Sequence, residues 1–450
     1  MSAESEEGAD EFPSGRFERG RIAAQTGLKM GANYARYLAR RSVGAGSRDE
    51  ERKALRDRNA RDLFSQLSRL RGTALKFAQG ISIDPGVLPR EFVDVLSQAQ
   101  YQVPPMGTAL VRRLIQQGLG KPPESLFEEF EPIAVAAASL GQVHRARLKD
   151  GRVVAVKIQY PNVRESVDSD LRIMKGLASR FVDAGAVQPF LDEVRARMFE
   201  ETDYLQEGQN IEYFAAQYTS DRILTPRWIP EYSSERVLTM TFVEGRHLDE
   251  FLATDPSQEV LNHFGQTLWD FAHEQVAANN LAVHADAHPG NFLFRDDGRV
   301  GVLDFGCIKR FPVSFRNDLL LLFKARLADD QEALMRQYRS LLLVSDEQPD
   351  DLRAFMLDIL EQVGNTIAEP YRQDTFDFGA NLLLQGFEDL LPRLTGREAY
   401  RHRSPVGSSE FIFLNRLVFG LLSILTRLGA VVHTADGRRR LLDVADAAVG

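Results

Sequence analysis

Three polar residues in an otherwise apolar stretch carry the chemistry of this 450-residue chain. Asp286 and Asn291 stand five positions apart in His-Ala-Asp-Ala-His-Pro-Gly-Asn, and Asp304 opens an Asp-Phe-Gly after the next apolar run. One aspartate facing an attacking hydroxyl, with an asparagine and a second aspartate holding metal against phosphate oxygens, is the set that phosphoryl transfer requires. Local turn chemistry predicts how they meet. Pro289 and Gly290 force a turn, residues 292–294 leave as a short strand, Asp296-Asp297-Gly298 turn, and residues 300–303 return. The hairpin brings Asp304 beside Asn291, so two hard oxygen donors of the kind Mg²⁺ takes converge. Two plainer readings compete. A surface hairpin with ordinary turn residues leaves Asp-Phe-Gly unexplained. Zinc would use His284 and His288, but these lie in a Pro-Gly loop rather than on a helix, and no Glu follows the first His.

Phosphate also needs a cation and a cover, and both are expected upstream. Ala136, Ala137, Ala138 and Ser139 begin a small-residue loop, followed by a strand over 143–148, an Asp150-Gly151 turn and a strand ending Val-Ala-Val-Lys at Lys157. Strand, small-residue loop, strand, turn and strand with a terminal lysine is the start of a kinase small lobe. The loop would cover the phosphates and Lys157 would contact them. Alanines stand where protein kinases have glycines, which stiffens the loop. A single long helix over 191–214 carries Glu193, Glu200, Glu201, Asp203 and Glu207. On a regular helix Glu200, Asp203 and Glu207 share a face and Glu201 points elsewhere. Glu207 is the expected partner of Lys157; the plainer reading is a solvated acidic face. Residues 237–245 read as a strand and then the connection between lobes. A helix over 259–279 follows, with Phe264, Trp269 and Phe271 expected in the core.

Composition bounds the rest. With 44% hydrophobic and 26% charged residues the chain is that of a soluble globular protein, and a net charge of −9 argues against nucleic-acid binding. The single cysteine, Cys307, excludes an intrachain disulfide, fits a reducing, cytoplasmic setting, and is expected as a small buried residue. Residues 1–15 read as a disordered acidic tail without the apolar segment of a signal peptide. Residues 16–41 are basic and amphipathic, suited either to an anionic membrane surface or to packing on the protein with a solvated basic face. In the helical stretch 49–80, Lys76 and Gln79 share a face. The apolar run 411–432 is interrupted by Arg416 and Arg427, so it reads as a buried or amphipathic helix and not as a membrane span. The expected division is a tail (1–15), an N-terminal helical extension (16–125), a small lobe (126–245), a large lobe (246–345) and a C-terminal helical extension without chemistry motifs (346–450).

Together these pieces resemble the UbiB family of atypical kinases, the AarF or ADCK group, over most of residues 60–310. Lys76-Phe77-Ala78-Gln79 resembles the K-x-G-Q signature, with Ala78 in place of its glycine. Residues 136–142 resemble the alanine-rich loop, residues 154–161 the nucleotide lysine and the segment after it, and Glu201-Thr202-Asp203 the E-x-D pair. Residues 284–291 and 304–306 complete the set. The resemblance implies an α+β, protein-kinase-like bilobal fold with helical extensions at both ends, using ATP and Mg²⁺. It also implies that Lys76 and Gln79 meet Glu201 and Asp203 over the site, filling the groove a protein substrate would need. Protein kinase activity would then be weak or absent, and ATP hydrolysis or small-molecule phosphorylation favoured. The family's support of isoprenoid quinone biosynthesis and lipid handling implies a lipid or quinone-precursor ligand and a peripheral membrane location. Two rivals remain. Aminoglycoside and choline kinases have a similar His-x-Asp-x-x-x-x-Asn loop, but the Lys76 helix and the alanine loop argue against them. A nucleotide-gated, non-catalytic scaffold binding lipids or enzyme partners is the other.

Overall fold

The computed structural model describes residues 105–138, 140–178, 184–218, 220–278, 282–380, 383, 385–387 and 410–448. The chain divides into two compact units: residues 1–208 with 228–242, and residues 209–227 with 243–450. Lys76, Gln79, Ser139, the acidic tail and the basic segment 16–41 lie outside the described residues.

The first unit is built on an antiparallel sheet. Helix α1 (Thr108–Leu119) ends at Gly120, whose φ of 76° is the left-handed cap that glycine adopts without strain. Strands β1 (Phe127–Phe130), β2 (Ala136–Ala138), β3 (Gly141–Leu148), β4 (Val153–Gln159) and β5 (Val237–Thr241) follow, in sheet order β1-β3-β4-β5 with β2 also on β3. Val154, Val156 and Ile158 of β4 are fully buried in a core with Ile115, Leu148 and Val237. Side chains alternate along a strand, so Lys157 lies on the face opposite those three. The expected small-residue loop is shorter than the sequence suggests. Ala136 to Ala138 are β-paired to Val143 to Gly141, so these three alanines belong to a strand. A Cβ on Gly141 would lie 2.2 Å from the Ile158 carbonyl oxygen, so only glycine lets β3 start this close to β4.

The expected single helix over 191–214 is two. After α2 (Val163–Ala178), helix α3 (Ala184–Glu201) ends and α4 (Tyr204–Gln217) begins. Thr202 Oγ1 donates to the Phe199 carbonyl at 3.0 Å, and Asp203 accepts from the Gln206 amide at 3.1 Å. The second bond is an N-cap, which starts a new helix. Glu201 and Asp203 therefore do not share one helix: the first closes α3 and the second caps α4.

The second unit packs around helix α5 (Gln258–Ala277), whose Phe264, Trp269 and Phe271 are buried as expected. Strand β6 (Ala282–His284) pairs antiparallel with β9 (Ile308–Arg310). Between them β7 (Phe292–Phe294) and β8 (Val300–Val302) form the expected hairpin, turning through Gly298 at φ 80°. Helices α6 (Val313–Leu327), α7 (Gln331–Ser340) and α8 (Asp350–Ala368) follow. The C-terminal region is not wholly helical. After β10 (Thr375–Asp377) and α9 (Glu410–Leu428), Gly429 at φ 59° ends the helix and β11 (Val431–His433) pairs with β10, before α10 (Ala435–Ala447). Among the described residues no helix is long and apolar enough to cross a membrane.

Candidate active site

In the first unit, Lys157 Nζ donates to both carboxylate oxygens of Glu207, at 2.8 and 2.9 Å. The two side chains are 9% and 2% exposed. The ammonium also lies 5.1 Å from the centre of the Tyr204 ring, a cation–π distance. The break between α3 and α4 makes this pair possible. Asp203 caps α4, and Glu207, four residues on, sits in its first turn with its amide bonded to the Asp203 carbonyl. A carboxylate there is favoured by the helix dipole. Gln159 Nε2, on the same face of β4 as Lys157, donates to the Thr202 carbonyl at 3.1 Å and ties the strand to the break. A Cβ on Gly208 would lie 2.4 Å from the Trp228 indole, so glycine lets the first turn of α4 press against that ring. The result is a desolvated ammonium fixed in one orientation, the form in which a lysine meets phosphate oxygens.

A second buried network braces β3. The Met106 amide donates to Gln142 Oε1 at 2.8 Å, and Gln142 Nε2 lies 2.7 Å from His144 Nε2. His144 Nδ1 lies 2.9 Å from the Glu131 carbonyl oxygen, which can only accept. Nδ1 therefore carries the proton, Nε2 accepts from the amide, and the ring is neutral. Burial pushes its pKa below the ordinary histidine value.

In the second unit, the loop after β6 is organised from within. Asn291 Nδ2 donates to the Asp286 carbonyl at 2.9 Å and to Asp286 Oδ2 at 3.2 Å. The Leu303 amide donates to the Asn291 carbonyl at 2.8 Å, so residue 304 follows directly beside residue 291. Asp304 has φ 54°, unusual for a residue with a side chain, and its Oδ1 accepts from the Gly306 amide at 3.1 Å. Buried His284 holds this backbone in place. Its Nε2 donates to the carbonyls of Leu303 and Asp304 at 3.1 and 2.8 Å, and Asn210 Nδ2 donates to the Phe305 carbonyl at 2.9 Å. Phe305 is fully buried against Phe214 and His284. Cys307 is buried, and its carbonyl accepts from the Ala285 amide at 3.0 Å.

The donor set suits a hard cation. With its Nδ2 committed to Asp286, Asn291 has an amide oxygen to offer, and Asp304, which supplies a carboxylate, directly follows the residue whose amide bonds to the Asn291 carbonyl. An amide oxygen and a carboxylate are ligands Mg²⁺ takes together with nucleotide phosphates. Zinc fares worse. His284 has its Nε2 on two carbonyls, and His288 Nδ1 accepts from the Gly290 amide. Among the described residues no group of three or more His, Cys, Asp or Glu is placed to hold a metal.

The C-terminal region, in which no chemistry motif is expected, reaches the loop through Arg416. Its Nη2 forms an ion pair with Asp286 Oδ1, the side chains being 11% and 18% exposed. Gly420, one turn further along α9, comes so close to the loop that a Cβ there would lie 2.1 Å from the Ala287 carbonyl oxygen. Lys309 Nζ sits 4.5 Å over the Phe413 ring on the same helix. The available signal was the arginine itself: a cation in an apolar run needs a partner if it is buried, but the sequence does not say which residue that is.

Residues 98–338, more than half of the chain, match the ABC1 atypical kinase-like domain. The chain is 36% identical over 296 residues to an uncharacterized chloroplastic aarF domain-containing protein kinase of Arabidopsis thaliana, covering 63% of this chain and 41% of that protein. It is 30% identical over 432 residues to the mitochondrial atypical kinase COQ8 of Saccharomyces cerevisiae, covering 93% and 82% of the two chains. It spans less than half the length of several of its curated relatives. Among solved structures it is similar to Rv3197 of Mycobacterium tuberculosis, seen in complex with erythromycin. The TM-score is 0.58 at 26% identity, over 90% of this chain and 98% of that one.

Proposed function

Because the chain belongs to the ABC1 atypical kinase-like family, the UbiB group, and has its α+β, protein-kinase-like fold, we propose that it is an ATP-binding atypical kinase or ATPase supporting isoprenoid quinone biosynthesis or related lipid metabolism at a membrane surface. Lys157, oriented by Glu207, would engage the α- and β-phosphates. Asn291 and Asp304 would hold Mg²⁺, which neutralises phosphate charge when bound. Asp286 would orient the attacking water or hydroxyl. One observation carries the reading: Asp286 and Asn291 are hydrogen-bonded to each other, and Asn291 is bonded through its carbonyl to the residue before Asp304. Acceptor-side and metal-side groups thus form a single bonded unit. The quinone and lipid assignment rests on the family resemblance, and the membrane surface on the basic segment 16–41.

Calorimetric titration with Mg-ATP tests the nucleotide half. Asp304→Asn should abolish binding, and an unchanged isotherm would contradict the role given to Asp304. A second reading, a nucleotide-gated scaffold, is favoured by one feature: both carboxylate oxygens of Asp286 are engaged, one by Asn291 and one by Arg416. Nucleotide binding without turnover would support it. Phosphorylation of soluble amino alcohols is disfavoured, because the guanidinium on Asp286 offsets the charge that would attract a cationic acceptor.

A further inference from the structure

The residues of the proposed site all lie upstream of position 307, yet a side chain from α9, that of Arg416, pairs with Asp286. We propose that Arg416 is a positioning residue for Asp286, which makes the C-terminal helix a working part of the catalytic loop; this rests on the role given to Asp286 above.

The carboxylate is gripped from two elements. Asn291 holds Oδ2 and the main-chain oxygen of Asp286. Oδ1 is held by Arg416, and an oxygen anchored on each side fixes the plane of the carboxylate as well as its place. The helix is shaped for this reach. Phe413, Arg416, Leu417, Gly420 and Ile424 recur at spacings of three and four, which places them on one face. On that face Gly420 brings the helix backbone against Ala287, the residue next to Asp286. Leu417 and Ile424 line a small apolar cavity together with Ala287 and Phe292. Phe413 lies under Lys309 at 4.5 Å, at the strand that pairs with β6 just before the loop. A cation–π contact on one side of Arg416 and apolar contacts on the other thus seat the helix, and the arginine transmits that seating to one carboxylate oxygen. Arg427, nearer the end of α9, pairs with Asp249 at the exposed surface and does not touch the loop.

A double-mutant cycle on Mg-ATP turnover by the full chain tests this, using Asp286→Asn, Arg416→Gln and the two combined. Arg416→Gln should lower kcat roughly tenfold or more, part of the about 10²- to 10⁴-fold that a positioned proton-transfer group contributes. KM for ATP should stay within about twofold, since only the acceptor side is disturbed. In the Asp286→Asn background Arg416→Gln should cause no further loss, because its effect passes through Asp286. Arg416→Lys should recover part of the rate, and Arg427→Gln should stay within about twofold of wild type. A full loss in both backgrounds, or an unchanged kcat in Arg416→Gln, overturns the proposal. Should Arg416→Gln fail to fold, Arg416→Lys carries the test. A lysine lacks the planar fork, so kcat must drop about threefold or more with Asp286 present, and must not drop in the Asp286→Asn background. Equal rates would overturn it. If Asp286→Asn itself turns over at the wild-type rate, the role of Asp286 fails, and that outcome is distinct from a failure of Arg416 alone.

Discussion

At the scale of single residues, the Lys157–Glu207 pair separates stability from function. Glu207→Gln keeps the shape but leaves a buried ammonium without its counter-charge, which costs about 3–5 kcal/mol. Replacing both residues, Lys157→Met with Glu207→Leu, should recover most of that stability in urea denaturation while nucleotide binding stays lost. A double variant as unstable as Glu207→Gln would contradict the account. His273 sets a pH dependence. Burial lowers its pKa to about 4, with Nδ1 bonded to the Trp269 carbonyl and Nε2 to the Tyr371 hydroxyl. The native state stays neutral while the unfolded chain takes up a proton below its ordinary value of 6.5. The contribution is therefore full above pH 6.5 and is lost as pH falls toward 4, by an amount on the order of 3 kcal/mol. Melting temperatures at about pH 7 and about pH 4.5 check this, and the drop should be smaller in His273→Gln; an equal drop would exclude His273 as its source. Asp286, Asn291, Asp304 and Lys157 were legible in the sequence because phosphate chemistry dictates both residue type and local spacing. Arg416 was not, because its partner is 130 positions away and no local pattern records such a contact.

At the scale of elements, periodicity found the strands and helices but missed where side chains interrupt them. A continuous acidic helix was the simplest reading of residues 191–214, yet Thr202 and Asp203 bond locally to backbone and divide it. The alanine-rich segment read as a loop because small residues lack a strand signature, yet its backbone pairs with β3. Close approach was equally invisible: nothing local in α9 marks Gly420 as a contact point. Gly420→Ala places a Cβ 2.1 Å from the Ala287 carbonyl oxygen, so helix or loop must move. Overpacking of this kind destabilises by about 1–3 kcal/mol. Thermal melting should show the loss, and ATP turnover should fall with it; wild-type turnover in a destabilised variant would mean that the seating of α9 does not reach the loop.

At the scale of the whole molecule, the two compact units each carry one part of the proposed chemistry, an oriented lysine in one and the Asp286–Asn291–Asp304 loop in the other. Turnover therefore depends on the intact chain. The kinase-like class was legible because several separate motifs agree, whereas the acceptor leaves no comparable mark in residue type or spacing. Water or a lipid-like molecule is the acceptor the family resemblance favours, and the basic segment 16–41 suits either an anionic surface or packing on the protein. The most direct measurement is steady-state ATP hydrolysis by the full chain with Mg²⁺, with and without anionic phospholipid vesicles, for the wild type and Asp286→Asn. The account predicts turnover that rises with the vesicles and is lost in Asp286→Asn. ATP binding without turnover under both conditions, or equal rates in the two proteins, would contradict it.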